Sequence, residues 1–411
     1  MSSSRKYLLA ASAAALTLAT FSTAEAGGFA IREQSAYGQG MSFAGVAAGG
    51  SLSSMFWNPA TLSQVMGLEF ESGITGVIPI TEVLATYPIF GTVDEGDIGL
   101  DALVPNAYGA YRINDNVVVG IGINGAFGLA TQYNSTSPAR TFGIAGESDI
   151  FTINANPAVA WQINDYVTVA LGAQIQWMDL TLSRQATTIA GIVDLEGDGF
   201  GYGLTAGIHI MPTPDTEIGL GYRSRIDNDI DGSLTNISVP ASTTIDLPDL
   251  VTFGIRHKIN DYWRVMAGVE WANWSRFQSA TIVVPGNSEI LGFNYDDGWF
   301  FSGGAEYMWN DQLMLRGGVG WEISPVSDAV LTFRLPDDDR LWLSAGASYK
   351  ANDRYSFDVG YSFLTTFDTT INNTNPANRG GAPSFATADV DANVHILSAA
   401  LKVKLGGHSA P

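Results

Sequence analysis

Six short polar turns divide this 411-residue chain into alternating runs, and that regular division narrows what the chain can fold into. Asn114-Asp115-Asn116, Asn164-Asp165, Pro212-Thr213-Pro214-Asp215, Asn260-Asp261, Asn310-Asp311 and Asn352-Asp353 each stand between two strand-like stretches. Asn and Asp tolerate the backbone angles of a tight turn, so each site reads as a β-hairpin. The flanking runs have a period of two. After Asp165, Val167, Val169, Leu171, Ala173, Ile175 and Trp177 alternate with Thr168, Ala170, Gly172, Gln174 and Gln176. Trp263, Val265, Ala267, Val269 and Trp271 oppose Arg264, Met266, Gly268 and Glu270, and Tyr355, Phe357, Val359, Tyr361 and Phe363 oppose Ser356, Asp358, Gly360 and Ser362. Because charged Arg264, Glu270 and Asp358 lie opposite the aromatics, the pattern suits a barrel whose outside meets lipid and whose inside is wet.

The N-terminus says where such a barrel would reside. Arg5 and Lys6 precede an apolar run over residues 7–21 that ends in Ala24-Glu25-Ala26, the small-x-small pattern of a secretory cleavage site. Residues 1–26 therefore read as a signal peptide, with the mature chain expected to begin at Gly27. No later stretch approaches the roughly 18 apolar residues that a spanning helix needs. Only helices and closed barrels satisfy backbone polar groups in lipid, so the expected location is a Gram-negative outer membrane, crossed many times. The 46 Gly and the 10 Trp, 15 Tyr and 20 Phe fit lipid-facing strands with interfacial girdles. The formal charge is -21, and -22 once Arg5, Lys6 and Glu25 leave with the signal, which excludes nucleic acid as an expected partner. The chain has no Cys, hence no disulfide, thiolate metal site or cysteine nucleophile.

Strands are expected near 68–78, 106–113, 117–132, 150–163, 166–184, 199–211, 216–234, 243–259, 262–284, 298–309, 312–326, 340–351, 354–371 and 392–405. The fold class is then all-β, a fourteen-stranded antiparallel transmembrane barrel over residues 68–405, with its short turns and both ends in the periplasm and its long loops outside. Residues 27–67 break the rhythm. They are rich in Gly and Ser but carry Met55-Phe56-Trp57, a cluster that disordered tails lack. A barrel this wide needs a filling, so this segment reads as a hatch inside it, and 406–411 as a short tail.

At this point the residues resemble a known family. Gly28-Phe29-Ala30-Ile31-Arg32-Glu33-Gln34-Ser35 and Phe56-Trp57-Asn58-Pro59-Ala60 are similar to the N-terminal hatch of FadL-type outer-membrane transporters of long-chain fatty acids and other hydrophobic compounds. The likeness continues through Phe127-Gly128-Leu129-Ala130-Thr131, Asn154-Ala155-Asn156-Pro157-Ala158, Leu247-Pro248-Asp249, Trp274-Ser275, Arg316-Gly317-Gly318-Val319, Ser324-Pro325-Val326 and Leu335-Pro336-Asp337-Asp338-Asp339-Arg340.

The resemblance implies passive, ligand-gated diffusion of a hydrophobic solute, long-chain fatty acids foremost, with lateral exit through a kink in the third strand. It implies Phe29 as the ligand-side aromatic, Asn58, Pro59 and Ala60 as the hatch gate, and Gly125, Phe127, Gly128 and Leu129 as the kink. It implies no cofactor, no metal and no catalytic residue, a monomer, and as partners the ligand, outer-membrane lipid and lipopolysaccharide, and the barrel assembly machinery. Rival readings are a channel for aromatic hydrocarbons or alkanes, a general porin, and an outer-membrane lipid-modifying enzyme. Two departures stand out. Gly50-Ser51-Leu52-Ser53-Ser54 lacks the acidic residue often found before Asn-Pro-Ala, and the last strand ends on Leu405 instead of an aromatic. Gly120-Ile121-Gly122-Ile123-Asn124-Gly125 matches a dinucleotide fingerprint but lies within a strand run, with no helix to follow. His209, His257, His395 and His408 lack ligand spacing, and Asp296-Asp297 and Asp337-Asp338-Asp339 read as solvated loop charge.

Overall fold

The computed structural model describes residues 27–141, 144–185, 192–367, 369–372 and 386–406. The expected signal peptide and the tail beyond residue 406 lie outside them. Fourteen antiparallel strands form one sheet: β1 (Leu68–Tyr87), β2 (Gly91–Asp97 and Ala102–Arg112), β3 (Val117–Asn124 and Gly128–Gln132), β4 (Glu147–Gln162), β5 (Val167–Gln185), β6 (Ile192–Thr213), β7 (Thr216–Arg223 and Ile226–Leu234), β8 (Val239–Leu247 and Leu250–Lys258), β9 (Trp263–Ala272 and Ser279–Val284), β10 (Asn287–Gly292 and Gly298–Met308), β11 (Leu313–Ile323), β12 (Arg340–Lys350), β13 (Tyr355–Thr366 and Thr369–Asn372) and β14 (Thr387–Leu405). Each pairs with its chain neighbour, and β14 pairs with β1 from Leu68↔Leu405 to Thr86↔Thr387, which closes the barrel.

All six expected hairpins form. In five of them the Asn side chain accepts two backbone N–H groups at 2.9–3.0 Å, as Asn114 does from Asn116 and Val117 and Asn310 from Gln312 and Leu313. Asn164, Asn260 and Asn352 repeat this bonding. The sixth, at Pro212-Thr213-Pro214-Asp215, closes on a Thr213–Thr216 pair instead. Beside these turns Tyr111, Trp161, Tyr262, Trp309 and Tyr355 face outward, and Trp299, Trp321 and Tyr222 form a second row. The ten residue steps from Trp299 to Trp309 climb about 24 Å along a tilted strand, close to the height of an apolar band in lipid.

The strands run longer toward the outside than the sequence pattern placed them. β1 continues to Tyr87, and β2 gains the piece Gly91–Asp97. Pro79 hid this extension, because proline interrupts a central ladder. It is tolerated here where β2 itself breaks between Asp97 and Ala102.

Residues 27–65 fill the interior and are almost entirely buried, as helix α1 (Ala36–Gln39) and 3-10 turns at Val46–Ala48, Leu52–Phe56 and Pro59–Gln64. Their backbone lies directly on wall glycines. A Cβ on Gly346 would sit 2.7 Å from Gly40 Cα, and one on Gly360 2.7 Å from the Ala36 carbonyl oxygen. Gly207, Gly219, Gly221 and Gly318 are approached still more closely by Asn58, Ala47, Trp57 and Met41. Larger inward residues would hold the segment away from the wall, so the small face of the strands determines where it seats.

Candidate functional site

The third strand is broken. β3 and β4 stay in register from Val117↔Trp161 to Asn124↔Asn154 and again from Gly128↔Phe151 to Gln132↔Glu147. Between these stretches residues 125–127 face only residues 152–153, so β3 carries one extra residue, a bulge. Thr152 fills the missing rung with its side chain: its Oγ1 accepts from Phe127 N at 3.1 Å and donates to Phe127 O at 2.7 Å.

On the other side the break uncouples β3 from β2. Their ladder runs from Arg112↔Val118 to Ala107↔Ile123 and then stops, while residues 102–106 pair with β1. Contact resumes only at Gly99↔Thr131 and through Gln132 N to Ile98 O at 3.0 Å. The edge of β3 so released is taken by the N-terminal segment: Ile31 N donates to Ala126 O and Gly128 N to Phe29 O, both at 2.9 Å, with Ala30 bridged to Phe127. Asn106 and Asn124 border the gap, both buried, and their amide groups have no protein partner.

The same stretch inserts Phe29 into an aromatic cluster. Its ring lies 4.6 Å from Trp274, 5.5 Å from Phe277 and 6.3 Å from Phe127. Next to it lies a cavity of about 310 Å³ lined mainly by apolar residues, Phe29, Leu129, Ile150, Phe277 and Phe293 among them, with Ser148, Ser183, Asn287, Ser288, Thr332 and Arg334 as polar members. Mixed aliphatic and aromatic walls with a minority of polar groups suit a hydrophobic solute.

The expected gate residues sit elsewhere. Asn58 caps the Pro59–Gln64 turn by accepting from Ala60 N at 3.0 Å, with Pro59 at the first helical position, where its missing N–H costs nothing. Its amide donates to Ala47 O at 2.7 Å and Ile208 O at 2.9 Å, which ties the segment to β6 and not to the break. Phe29, Phe127, Gly128 and Leu129 are thus brought together, while Asn58, Pro59 and Ala60 form a separate anchor.

Charges on the inner wall hold the segment. Arg223 donates to Phe56 O at 3.0 Å, Arg256 to Tyr37 OH at 2.8 Å, and Tyr37 to Glu306. Arg264 pairs with Glu306, Arg316 and Lys402 with Asp358, and Arg32 with Glu270 and Glu322. The acidic residue absent before Asn58 is supplied by the wall, since Glu71 on β1 accepts from Ser51 OH at 2.6 Å and Ser53 N at 3.1 Å. Asp337 departs from its expected role as solvated loop charge. It is buried, pairs with Arg340 and accepts from Gly28 N at 2.7 Å and Ser324 OH at 2.6 Å. Burial raises its carboxyl above the usual aspartate range despite these donors. Trp274 and Asp337 stood in the sequence only as parts of family-like motifs and Phe277 not at all, because the role of each depends on a loop folding back over residues 28–29.

Residues 16–404 match the family described as Outer membrane protein transport protein (OMPP1/FadL/TodX). The chain belongs to this family. It is 27% identical over 405 residues to the long-chain fatty acid transport protein of Salmonella typhi, covering 88% of this chain and 93% of the relative. It is 24% identical to outer membrane protein P1 of Haemophilus influenzae, covering 83% and 86%. Among solved structures, a Pseudomonas aeruginosa FadL homologue superposes with a TM-score of 0.83 at 21% identity, covering 93% of this chain and all of the other. The Ralstonia pickettii toluene transporter TbuX gives 0.65 at 20% identity, covering 90% and 98%. These structures share the fold, and the family places the chain in the outer membrane as a transport protein.

Proposed function

We propose that the barrel admits hydrophobic molecules, long-chain fatty acids foremost, holds them in the cavity beside Phe29, and passes them sideways between β2 and β3 by passive, ligand-gated diffusion. The observation that carries this reading is that Leu129 lines the cavity while belonging to the broken strand. The axial path is occupied by residues 27–65, so the wall gap is the shorter route. An alkyl chain loses about 0.8 kcal/mol per CH₂ on return to water, which favours release into lipid. Fatty acids are favoured over hydrocarbons by the names of the Salmonella and Escherichia coli relatives, and by the amides of Asn106 and Asn124, which a carboxyl head group can bond and toluene cannot.

Gating is tested by locking the N-terminal stretch to the break. Ala30→Cys with Phe127→Cys joins two bridged residues in a chain otherwise free of cysteine. Oxidation should abolish uptake of labelled oleate by cells without another hydrophobic-solute channel, and reduction should restore it. Equal uptake in both states would overturn the gate, and uptake of toluene without oleate would overturn the choice of cargo.

A further inference from the structure

Two residues before Phe29 the backbone enters a buried charge cluster. Gly27 N lies 3.1 Å from Glu322 Oε1, which also receives Arg32 Nη2 at 2.9 Å, and Trp342 Nε1 donates to Glu322 Oε2 at 3.0 Å. Asp337 binds Gly28 N and pairs with Arg340, and Arg32 also pairs with Glu270. Among the described residues joined here, two guanidinium groups, Arg32 and Arg340, face three carboxylates, Glu270, Glu322 and Asp337. A buried set with surplus negative charge is costly unless another cation joins it. A Cβ at Gly27 would lie 2.6 Å from Glu322 Oε1, so nothing larger than glycine lets the backbone nitrogen come this close without moving the carboxylate.

We propose that the amino terminus of the mature chain is this cation: removal of the signal peptide turns Gly27 N into an ammonium paired with Glu322, and this pair locks residues 27–31 across the break in β3. The inference rests on cleavage between Ala26 and Gly27, as Ala24-Glu25-Ala26 implies. Hydrolysis breaks that amide bond. The hydroxyl of water goes to the Ala26 carbonyl and one hydrogen to Gly27 N, which takes a further proton from solvent at neutral pH. An amide offers Glu322 one neutral hydrogen bond, whereas an ammonium offers three donors and a full charge. The lock exists only in the processed chain. Processing therefore sets the resting position of Phe29 and of the strand that bonds β3, and an arriving solute has to work against it.

The test reads the α-amine directly. Protein purified from outer membranes is N-terminally sequenced and then acylated with an N-hydroxysuccinimide ester near pH 8, folded and in denaturant, with mass spectrometry counting label on Gly27. The folded amine should react at least about 10-fold more slowly than the denatured one, a difference of about 1.4 kcal/mol. Glu322→Gln should remove most of that protection in barrels that keep their folded electrophoretic mobility, which burial alone would not do. An Ala-Ser extension before Gly27 carries the ammonium about 7 Å away with Glu322 intact, and should also react fast. A mature start other than Gly27, equal rates folded and denatured, or protection that survives the extension would overturn the proposal. None of these readouts depends on transport, so failure of the transport reading leaves a distinct result.

Discussion

Gly360→Ala tests whether the glycine floor sets the seat of the N-terminal segment. The added methyl would stand 2.7 Å from the Ala36 carbonyl oxygen, 2.8 Å from Gln39 Cβ and 3.0 Å from Gly40 N, where ordinary contact begins at 3.4 Å. Two of those neighbours are backbone and cannot rotate away, so α1 has to lift by about 0.7 Å. Overpacking of this kind costs about 1–3 kcal/mol, which raises the unseated fraction roughly 5- to 150-fold. Alanine also favours the strand itself by about 0.5–1 kcal/mol, but that acts on barrel folding and not on seating. The chain lacks cysteine, so a single Ser42→Cys, at a fully buried position beside α1, reports seating through its rate of maleimide labelling. Labelling should accelerate in the Gly360→Ala background while the folded barrel persists. Gly303→Ala, whose methyl meets nothing within 4 Å, should match the parent. Equal labelling in all three backgrounds would refute the view that close backbone approach positions the segment.

Three further outcomes follow from the geometry. Burial pushes Glu33 up to about 7 from 4.5, so its seated form prefers the proton; below about pH 4.5 seating is unaffected, and it weakens by about 3 kcal/mol as pH rises to 7 and beyond. Ser42→Cys labelling, corrected for thiolate fraction, should rise across that window, and Glu33→Gln should flatten the rise. Asn106→Leu and Asn124→Leu should lower oleate uptake several-fold and spare toluene, and an equal loss of both solutes would remove the amides from the head-group path. Replacing Asn310 by Ala deletes two turn bonds and should cost about 1 kcal/mol, seen as slower refolding of the barrel in detergent, with no change in uptake by the folded protein.

What the sequence disclosed and what it hid divide along local and non-local physics. Asn114, Asn164, Asn260, Asn310 and Asn352 act on N–H groups two and three residues ahead, so their turns could be read directly. Arg264, Glu270 and Asp358 were legible as inward because alternation alone assigns a face, and all three pair inside. The break in β3 showed only as glycine at 125 and 128, since its cause, the Thr152 hydroxyl standing in for a rung, belongs to the next strand. Gly360 read as a small residue on a polar face, and Gly219, Gly254 and Gly346 lie with it beneath the N-terminal segment. That they lie under one segment requires the registers Gly219↔Gly254 and Gly346↔Gly360, which no single strand encodes. Asp337 looked like loop charge because Gly28, whose N–H it accepts, comes from the other end of the chain and reaches it only on folding, although Arg340 stands three residues on.

That closure has a temporal meaning. The seam joins β1, which directly follows the interior segment, to β14, the last strand of the barrel. The filling therefore precedes the whole wall in the chain, and the pair that closes the wall joins its first strand to its last, a contact of long sequence separation of the kind that slows folding. Until β14 zips onto β1, residues 27–65 have a floor but no enclosure, and their position can still be corrected. Afterwards the segment can still lift from its seat, but it does so inside a closed wall.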